Sequence, residues 1–73
     1  MYMNVSFVDL SNTIYVSRNL WDKTTDLRSV LDHTAKPWTI DKVFVNGMAI
    51  TEHDLNRELR TLGEYEIQIE KHK

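Results

Sequence analysis

The sequence has no cysteine, only two glycines and one proline, and no long apolar run among its 73 residues. The lack of cysteine excludes a disulfide scaffold, a thiolate zinc site, an iron–sulfur cluster and a cysteine nucleophile. No stretch approaches the roughly 20 apolar residues that a membrane span requires. The first ten residues, MYMNVSFVDL, have neither the basic leader nor the apolar stretch of a signal peptide. We therefore expect a soluble, cytoplasmic protein without a membrane partner.

The length of the chain limits what it can build. A fold of this size buries only about 60% of the surface that its unfolded chain exposes, so most large apolar side chains are needed for one core. We therefore expect a single domain over residues 1–73, with little left over to form a deep catalytic pocket.

The charge balance is slightly acidic, with 11 acidic residues against nine Lys and Arg and a formal net charge of -2. The acidic excess lies in residues 51–73, where the few basic side chains are outnumbered. A nucleic-acid surface needs a basic stripe or aromatics interleaved with Lys and Arg, and neither is present. We therefore do not expect nucleic-acid binding. Single-strand binding through Tyr15 and Phe44, as in a phage or mobile-element regulator, is the weaker alternative.

Alternating apolar and polar residues predict strands. Residues 3–7 and 13–17 alternate in this way and are separated by turn residues at 9–12, which predicts a hairpin. A third strand is expected from residue 40, with Val43 and Val45 on one face and Lys42 and Phe44 on the other. It ends at Asn-Gly, the strongest short hairpin signal, and the chain returns as a short strand toward Ile50. Residues 65–70 alternate again and predict the closing strand.

Two helices are predicted from apolar residues at helical spacing. The first carries Leu27, Val30, Leu31 and Thr34 on one face. We expect Thr24 or Thr25 as its N-cap and its end near Thr34 or Ala35, since Pro37 disfavours helical geometry at the residue before it.

The second helix is expected over the residues that follow the short strand. Leu55, Leu59 and Leu62 repeat at i, i+4 and i+7, and Thr51 to Asp54 resembles a capping box. Gly63 suits the position that follows a helix.

The element order is strand, strand, helix, strand, short strand, helix, strand. It predicts an α+β fold in which a mixed sheet packs on one main helix, with a second, short helix nearby. The predicted core consists of Met3, Val5, Phe7, Ile14, Val16, Leu27, Val30, Leu31, Val43, Val45, Ile50, Leu55, Leu59, Leu62, Ile67 and Ile69.

This layout resembles the β-grasp fold of the ubiquitin-like superfamily over nearly the whole chain. The stretch KVFVNGMAI at residues 42–50, followed by Asp54-Leu55 and by YEIQI at residues 65–69, is similar to the third strand, turn, short strand and final strand of ubiquitin. The second predicted helix is longer than the family's usual turn there. The resemblance is one of layout and includes no catalytic motif.

Ubiquitin and the related sulfur carriers act through a C-terminal Gly-Gly, whereas this sequence ends Glu-Lys-His-Lys. Neither Gly47 nor Gly63 has a glycine neighbour that a processed precursor would need. We therefore expect no adenylation, thiocarboxylate formation or conjugation. What the resemblance then implies is a binding function.

The candidate partner-binding residues lie on the face of the sheet turned away from the main helix. In the ubiquitin family the outward side chain in the middle of the third strand anchors partners, and Phe44 matches that position. Alternation also turns Tyr15 outward, among polar neighbours that include Glu66 and Gln68. Trp38 is a further candidate anchor. The structural alternatives are that Phe44 is covered by neighbouring side chains and that Trp38 caps the core.

We expect no enzyme, cofactor or metal site. His33, His53 and His72 are widely separated and share no ligand spacing, and the serines have no recognisable nucleophile setting. Both glycines are explained by turns and caps, which leaves no phosphate-binding loop.

These observations lead to one main functional hypothesis. The chain is expected to be a non-catalytic ubiquitin-like interaction module or small regulator, such as a bacterial or phage accessory protein, that docks a protein partner through the outer sheet face. The alternative is a non-catalytic small subunit of an enzyme or secretion complex. The chain alone is expected to be a monomer or a weak homodimer.

Overall fold

The computed structural model of the chain describes residues 1–10 and 14–72, with residues 14–16 described by their backbone alone. Within this part of the chain, the strands form one mixed sheet that packs against one α-helix. The elements are β1 (Tyr2–Asp9), β2 (Ile14–Asp22), α1 (Leu27–Thr34), β3 (Val43–Val45), β4 (Met48–Ala49) and β5 (Glu66–Lys71). The fold is therefore a small α+β fold, as predicted.

The sheet has the strand order β2-β1-β5-β3-β4. β1 pairs antiparallel with β2 and parallel with β5, while β3 pairs antiparallel with β5 and β4. The chain reaches β5 only after passing through α1 and the β3–β4 hairpin, which gives it the length to return parallel to β1. This arrangement is compatible with a β-grasp layout.

Strand β2 is longer than its alternating pattern indicates. It continues past Arg18 to Asp22, opposite the first residues of β1. Trp21 lies opposite Met3 and packs against the core, which gives this stretch an anchor that alternation over residues 13–17 does not reveal. Residues 11 and 12 of the predicted turn lie outside the described residues, as does residue 13.

Helix α1 ends where predicted but begins with a different cap. Its N-cap is Asp26, whose side chain accepts a hydrogen bond from the Ser29 N–H at 3.0 Å. The prediction of Thr24 or Thr25 is therefore wrong, because the Asp26 carboxylate stands at the position that reaches the first-turn amides. At the other end, the Ala35 N–H donates to the Leu31 carbonyl at 2.8 Å, which confirms the predicted end.

The third strand is shorter than predicted, because residues Ile40–Lys42 form a 3-10 turn and β3 covers only Val43–Val45. The Asn-Gly turn between β3 and β4 is confirmed. Asn46 and Gly47 have φ values of 52° and 81°, the positive pair that a tight hairpin turn needs. Asn46 also ties the turn to β5, since its Oδ1 accepts from the Gln68 N–H at 2.9 Å and its own N–H donates to the Gln68 carbonyl at 2.8 Å.

The second predicted α-helix does not form in the described residues. Two separate 3-10 turns take its place, at Asp54–Asn56 and Leu59–Thr61. The residues between them are extended and pair with the segment before α1. The Leu27 N–H donates to the Arg57 carbonyl at 3.1 Å, and the Leu59 N–H donates to the Thr25 carbonyl at 2.9 Å. These long-range bonds use backbone groups that a continuous helix would need.

Gly63 is required for a reason other than the predicted helix cap. A Cβ at this position would lie 2.5 Å from Ile67 Cγ2 and 2.7 Å from the Glu66 carbonyl oxygen. The glycine therefore permits a close approach between the backbone at residue 63 and the start of β5.

The core lies between the sheet and α1. Ala35 is buried although it was not among the predicted core residues. The predicted core residues that are buried are Met3, Val5, Phe7, Leu27, Val30, Leu31, Val43, Val45, Leu55, Leu59, Ile67 and Ile69. Ile50 and Leu62 are half-buried and pack against this cluster. The side chains of Ile14 and Val16 lie outside the described part. No helix in the described ranges has the length and apolar content needed to cross a membrane.

Candidate functional site

The sheet face opposite α1, here called the outer face, carries a row of side chains that crosses four strands. Val8 on β1 lies opposite Glu70 on β5, Glu70 lies opposite Phe44 on β3, and Phe44 lies opposite Ala49 on β4. These four residues, the outer row, alternate with core residues on β1, β3 and β5 and therefore point away from the helix. The row joins apolar side chains around one carboxylate.

Phe44 is half-buried on this face. The His72 ring meets it edge-on, with ring centroids 4.6 Å apart and an interplanar angle of 78°. The backbone N–H of His72 donates to the Lys42 carbonyl at 2.8 Å, which fixes residue 72 beside β3. The histidine explains why Phe44 is partly covered, and the helix takes no part in that cover.

Glu70 connects the same cluster to a charge. One of its carboxylate oxygens, Oε2, lies 3.7 Å from His72 Nε2, so a protonated His72 forms an ion pair with it. The cluster of Phe44, His72 and Glu70 thus offers an aromatic edge, a titratable ring and a carboxylate side by side.

Glu66 and Gln68 lie on β5 on the same face, farther along the strand from Phe44. Both are exposed. Glu66 Oε2 is 3.2 Å from Arg18 Nη2, but the two side chains are 63% and 54% exposed, so the pair contributes little to stability. The structure therefore places both residues beside the outer row, where they form a polar flank.

Tyr15 belongs to the site by register alone. Its backbone lies opposite Val8, directly after an irregularity in the β1–β2 pairing. The Tyr15 side chain lies outside the described part, so its role in docking stays a prediction.

Trp38 is held elsewhere, against α1. Its Nε1 donates to Asp32 Oδ1 at 2.9 Å, and its half-buried ring packs against the core. The Arg28 guanidinium carbon lies 6.0 Å from the ring centroid. The structure thus does not bring Trp38 together with Phe44.

The carboxylates whose pKa values are lowered accept hydrogen bonds from backbone N–H groups, and they lie away from the outer row. The backbone N–H and hydroxyl of Thr24 lower the pKa of Asp22, and the hydroxyl and N–H of Ser29 lower that of Asp26. The Thr51 N–H, with the Arg57 guanidinium, lowers the pKa of Asp54. Hydrogen bonds to the ionised form explain all three directions.

An open cleft of about 270 Å³ lies between the β3–β4 hairpin and the 3-10 turns. Its most polar side chains, Asp54 and Arg57, bind each other at 3.1 Å. Arg57 also donates to the Thr61 hydroxyl and carbonyl. These contacts brace the loop that follows β4.

In residues 1–10 and 14–72, no group of three or more His, Asp and Glu side chains has the arrangement of a metal site. His33 and His72 have separate surroundings. The His33 ring contacts Trp21 edge-on at 5.3 Å, and the His72 ring contacts Phe44.

Three members of the site were not identified from the sequence: Val8, Ala49 and His72. Val8 continues the outward alternation of β1, and Ala49 follows from the hairpin register, so both signals were present in the pattern. The contact of His72 with Phe44 depends on how β5 pairs with β3, which the sequence pattern does not specify.

We compared the chain with known protein families, with curated proteins and with solved structures, and found no significant match in any of the three.

Proposed function

We propose that this chain is a non-catalytic interaction module of the ubiquitin-like β-grasp type, which docks a protein partner through its outer face. The β-grasp assignment is supported by the sheet order, with the first and last strands parallel at its centre and α1 on one side. The functional proposal rests on one observation. Phe44 lies on the outer face, half-exposed, in line with Val8 and Ala49 and uncovered by the helix.

The composition of the outer row favours a protein partner. An aromatic ring with small or branched apolar neighbours and a polar border is the usual anatomy of a transient interface. Glu66 and Gln68 on the flank, with Glu70 inside the row, make the surroundings of Phe44 acidic and polar. This favours a partner whose contact surface has an apolar centre and basic residues around it. The same acidic border repels a nucleic-acid backbone.

The test is a pair of substitutions on matched aromatic residues. Phe44→Ala removes the proposed anchor, whereas Tyr65→Ala removes an aromatic ring that is 76% exposed and lies outside the outer row. A hot-spot aromatic contributes about 2 kcal/mol, so Phe44→Ala should weaken binding about thirtyfold. The measurement is quantitative capture of proteins from source cells by each immobilised variant, with folding checked by circular dichroism.

Ala49→Arg gives a second variant that removes no packing. Ala49 is exposed beside Phe44, so a long charged side chain there should block docking without disturbing the core. Proteins retained by wild type and Tyr65→Ala but lost from Phe44→Ala and Ala49→Arg would support the proposal. Equal retention by all four forms would contradict it.

A further inference from the structure

Strand β2 has an open edge. In the described part of the sheet, β1 lies on one side of it and no strand lies on the other. The Asn4 N–H donates to the Tyr65 carbonyl at 3.1 Å, so the backbone groups of Asn4 face β5. Backbone direction alternates along a strand, so the groups of Val5 face β2 and its partner Asn19. The backbone groups of the residues flanking Asn19 therefore point to the open edge.

This edge carries an exposed apolar residue between two opposite charges. Leu20 is 65% exposed, and Arg18 and Asp22 stand two residues before and after it on the same face. Tyr2, also 65% exposed, lies opposite Asp22 and diagonal to Leu20. Cross-strand neighbours at these spacings are within reach of one another, so the edge offers an apolar centre with charged ends.

We propose that two copies of this chain pair antiparallel along β2, with a two-fold axis that passes between their Leu20 residues. In this register Leu20 lies opposite Leu20 of the second copy, and Arg18 lies opposite Asp22 of the second copy. The Leu20 pair exchanges backbone N–H···O=C bonds, and both Arg18–Asp22 pairs are of opposite charge. The two sheets become one continuous sheet across the molecular two-fold axis.

Charge selects this register over its neighbours. Pairing centred on Arg18 would set two guanidinium groups directly opposite each other, which is destabilising. Pairing centred on Asn19 would set Arg18 against Leu20 and give neither an ion pair nor an apolar pair. A parallel arrangement would place like charges side by side and would not close on a two-fold axis.

The contacts already present do not oppose this pairing. The Arg18–Glu66 ion pair is largely exposed, so Arg18 can turn to a second carboxylate at little cost. The Oδ1 atom of Asp22 accepts bonds from Thr24, while its Oδ2 atom lies 3.8 Å from the Met1 ammonium group, a long contact. The Asp22 carbonyl accepts the Thr25 N–H, so Asp22 contributes its own N–H to the new pairing.

The contact involves about five residues of each copy. The surface area that it buries is therefore well below the roughly 1,200 Å² of a standard interface, so the dimer is a weak one. It does not depend on the proposed function, because Phe44 lies on β3, on the far side of β1 and β5 from β2.

The experiment uses two charge reversals, Arg18→Asp and Asp22→Arg, in sedimentation equilibrium from micromolar to millimolar chain. The apparent mass of the wild-type protein should rise with concentration from 8.6 kDa toward twice that value. Each variant alone places like charges opposite each other and should dimerise at least about tenfold more weakly. An equimolar mixture of the two should recover the dimer, because every cross-strand pair between unlike copies is then complementary.

Recovery of the dimer on mixing shows that each variant lost dimerisation through the wrong cross-strand charges and not through damage to its fold, since a misfolded variant would not dimerise in the mixture. Wild type that stays at 8.6 kDa at millimolar concentration would overturn the proposal and leave the edge to a strand of another protein. Variants that dimerise as well as wild type, or a mixture that stays monomeric, would also overturn it. Sedimentation measures dimerisation without any partner protein, so loss of partner capture by Phe44→Ala would not change the expected sedimentation result.

Discussion

At the scale of single residues, the two glycines have different physical roles. Gly47 is needed for its positive φ in the β3–β4 turn, where a Cβ would meet no other atom within 4 Å. Gly63 is needed for space, since a Cβ there would meet both the Ile67 side chain and the Glu66 backbone. Sequence reasoning treats both as turn and cap residues and does not distinguish the two reasons.

Gly63→Ala should therefore destabilise the protein. The clash involves the backbone of β5, which cannot move without shifting the central strand pair, so we expect a loss of about 1–3 kcal/mol in the free energy of unfolding. Urea denaturation measures it, with Glu64→Ala at the neighbouring exposed position as the comparison. A loss below about 0.5 kcal/mol would contradict the close approach.

At the scale of elements, the start of α1 depends on one carboxylate. Asp26 accepts a bond from the first turn, and those bonds hold its pKa below the ordinary value of 3.8. Asp26→Ala should lower the free energy of unfolding by about 1 kcal/mol at neutral pH, the usual effect of losing an N-cap. Thermal or urea unfolding by circular dichroism provides the measurement. Unchanged stability would show that another residue caps the helix.

The same carboxylate should make stability depend on pH in acid. Its pKa is lower in the folded protein than in the unfolded chain, so the folded form binds fewer protons in the range between the two values. Stability from this group is complete above about pH 5 and is lost as pH falls through 3.8 and toward the folded value. Asp26→Asn keeps a capping oxygen but does not titrate, so its unfolding free energy should fall less than that of wild type between pH 5 and pH 2. Parallel acid curves for the two proteins would contradict this account.

Local signals explain which elements could be predicted. Alternation indicates strands β1, β3 and β5 because each has one face in the core, and Asn46-Gly47 indicates its turn because few other pairs accept two positive φ values. The spacing of Leu55, Leu59 and Leu62 indicates a helix that does not form. That segment instead pairs with residues before α1, and no local pattern encodes a contact over such a separation.

At the scale of the whole molecule, the outer face follows from the sheet itself. Once Val43 and Val45 face the core, Phe44 must face outward, so this part of the candidate site could be predicted from alternation alone. The cover that His72 provides could not be predicted, because it depends on the antiparallel pairing of β3 with β5. Trp38 is anchored by Asp32 on α1, a contact that its position after Pro37 does not reveal.

The two proposed surfaces divide the molecule between them. In the two proposals, the edge of β2 would pair copies of the chain, and the outer row, which runs from β1 to β4, would dock a different protein. Pairing along the edge of β2 would leave the outer row of each copy uncovered. A dimer would therefore present two open docking surfaces.

Site-specific photo-crosslinking in source cells tests docking at the outer row most directly. A benzophenone amino acid at Gln68, exposed on the flank of the outer row, should give a discrete adduct with a partner protein upon irradiation, and Phe44→Ala should abolish that adduct. The same probe at Arg28, exposed on α1 on the other side of the sheet, should give none. Adducts from position 28 but not from position 68, or a position-68 adduct that survives Phe44→Ala, would contradict docking through the outer face.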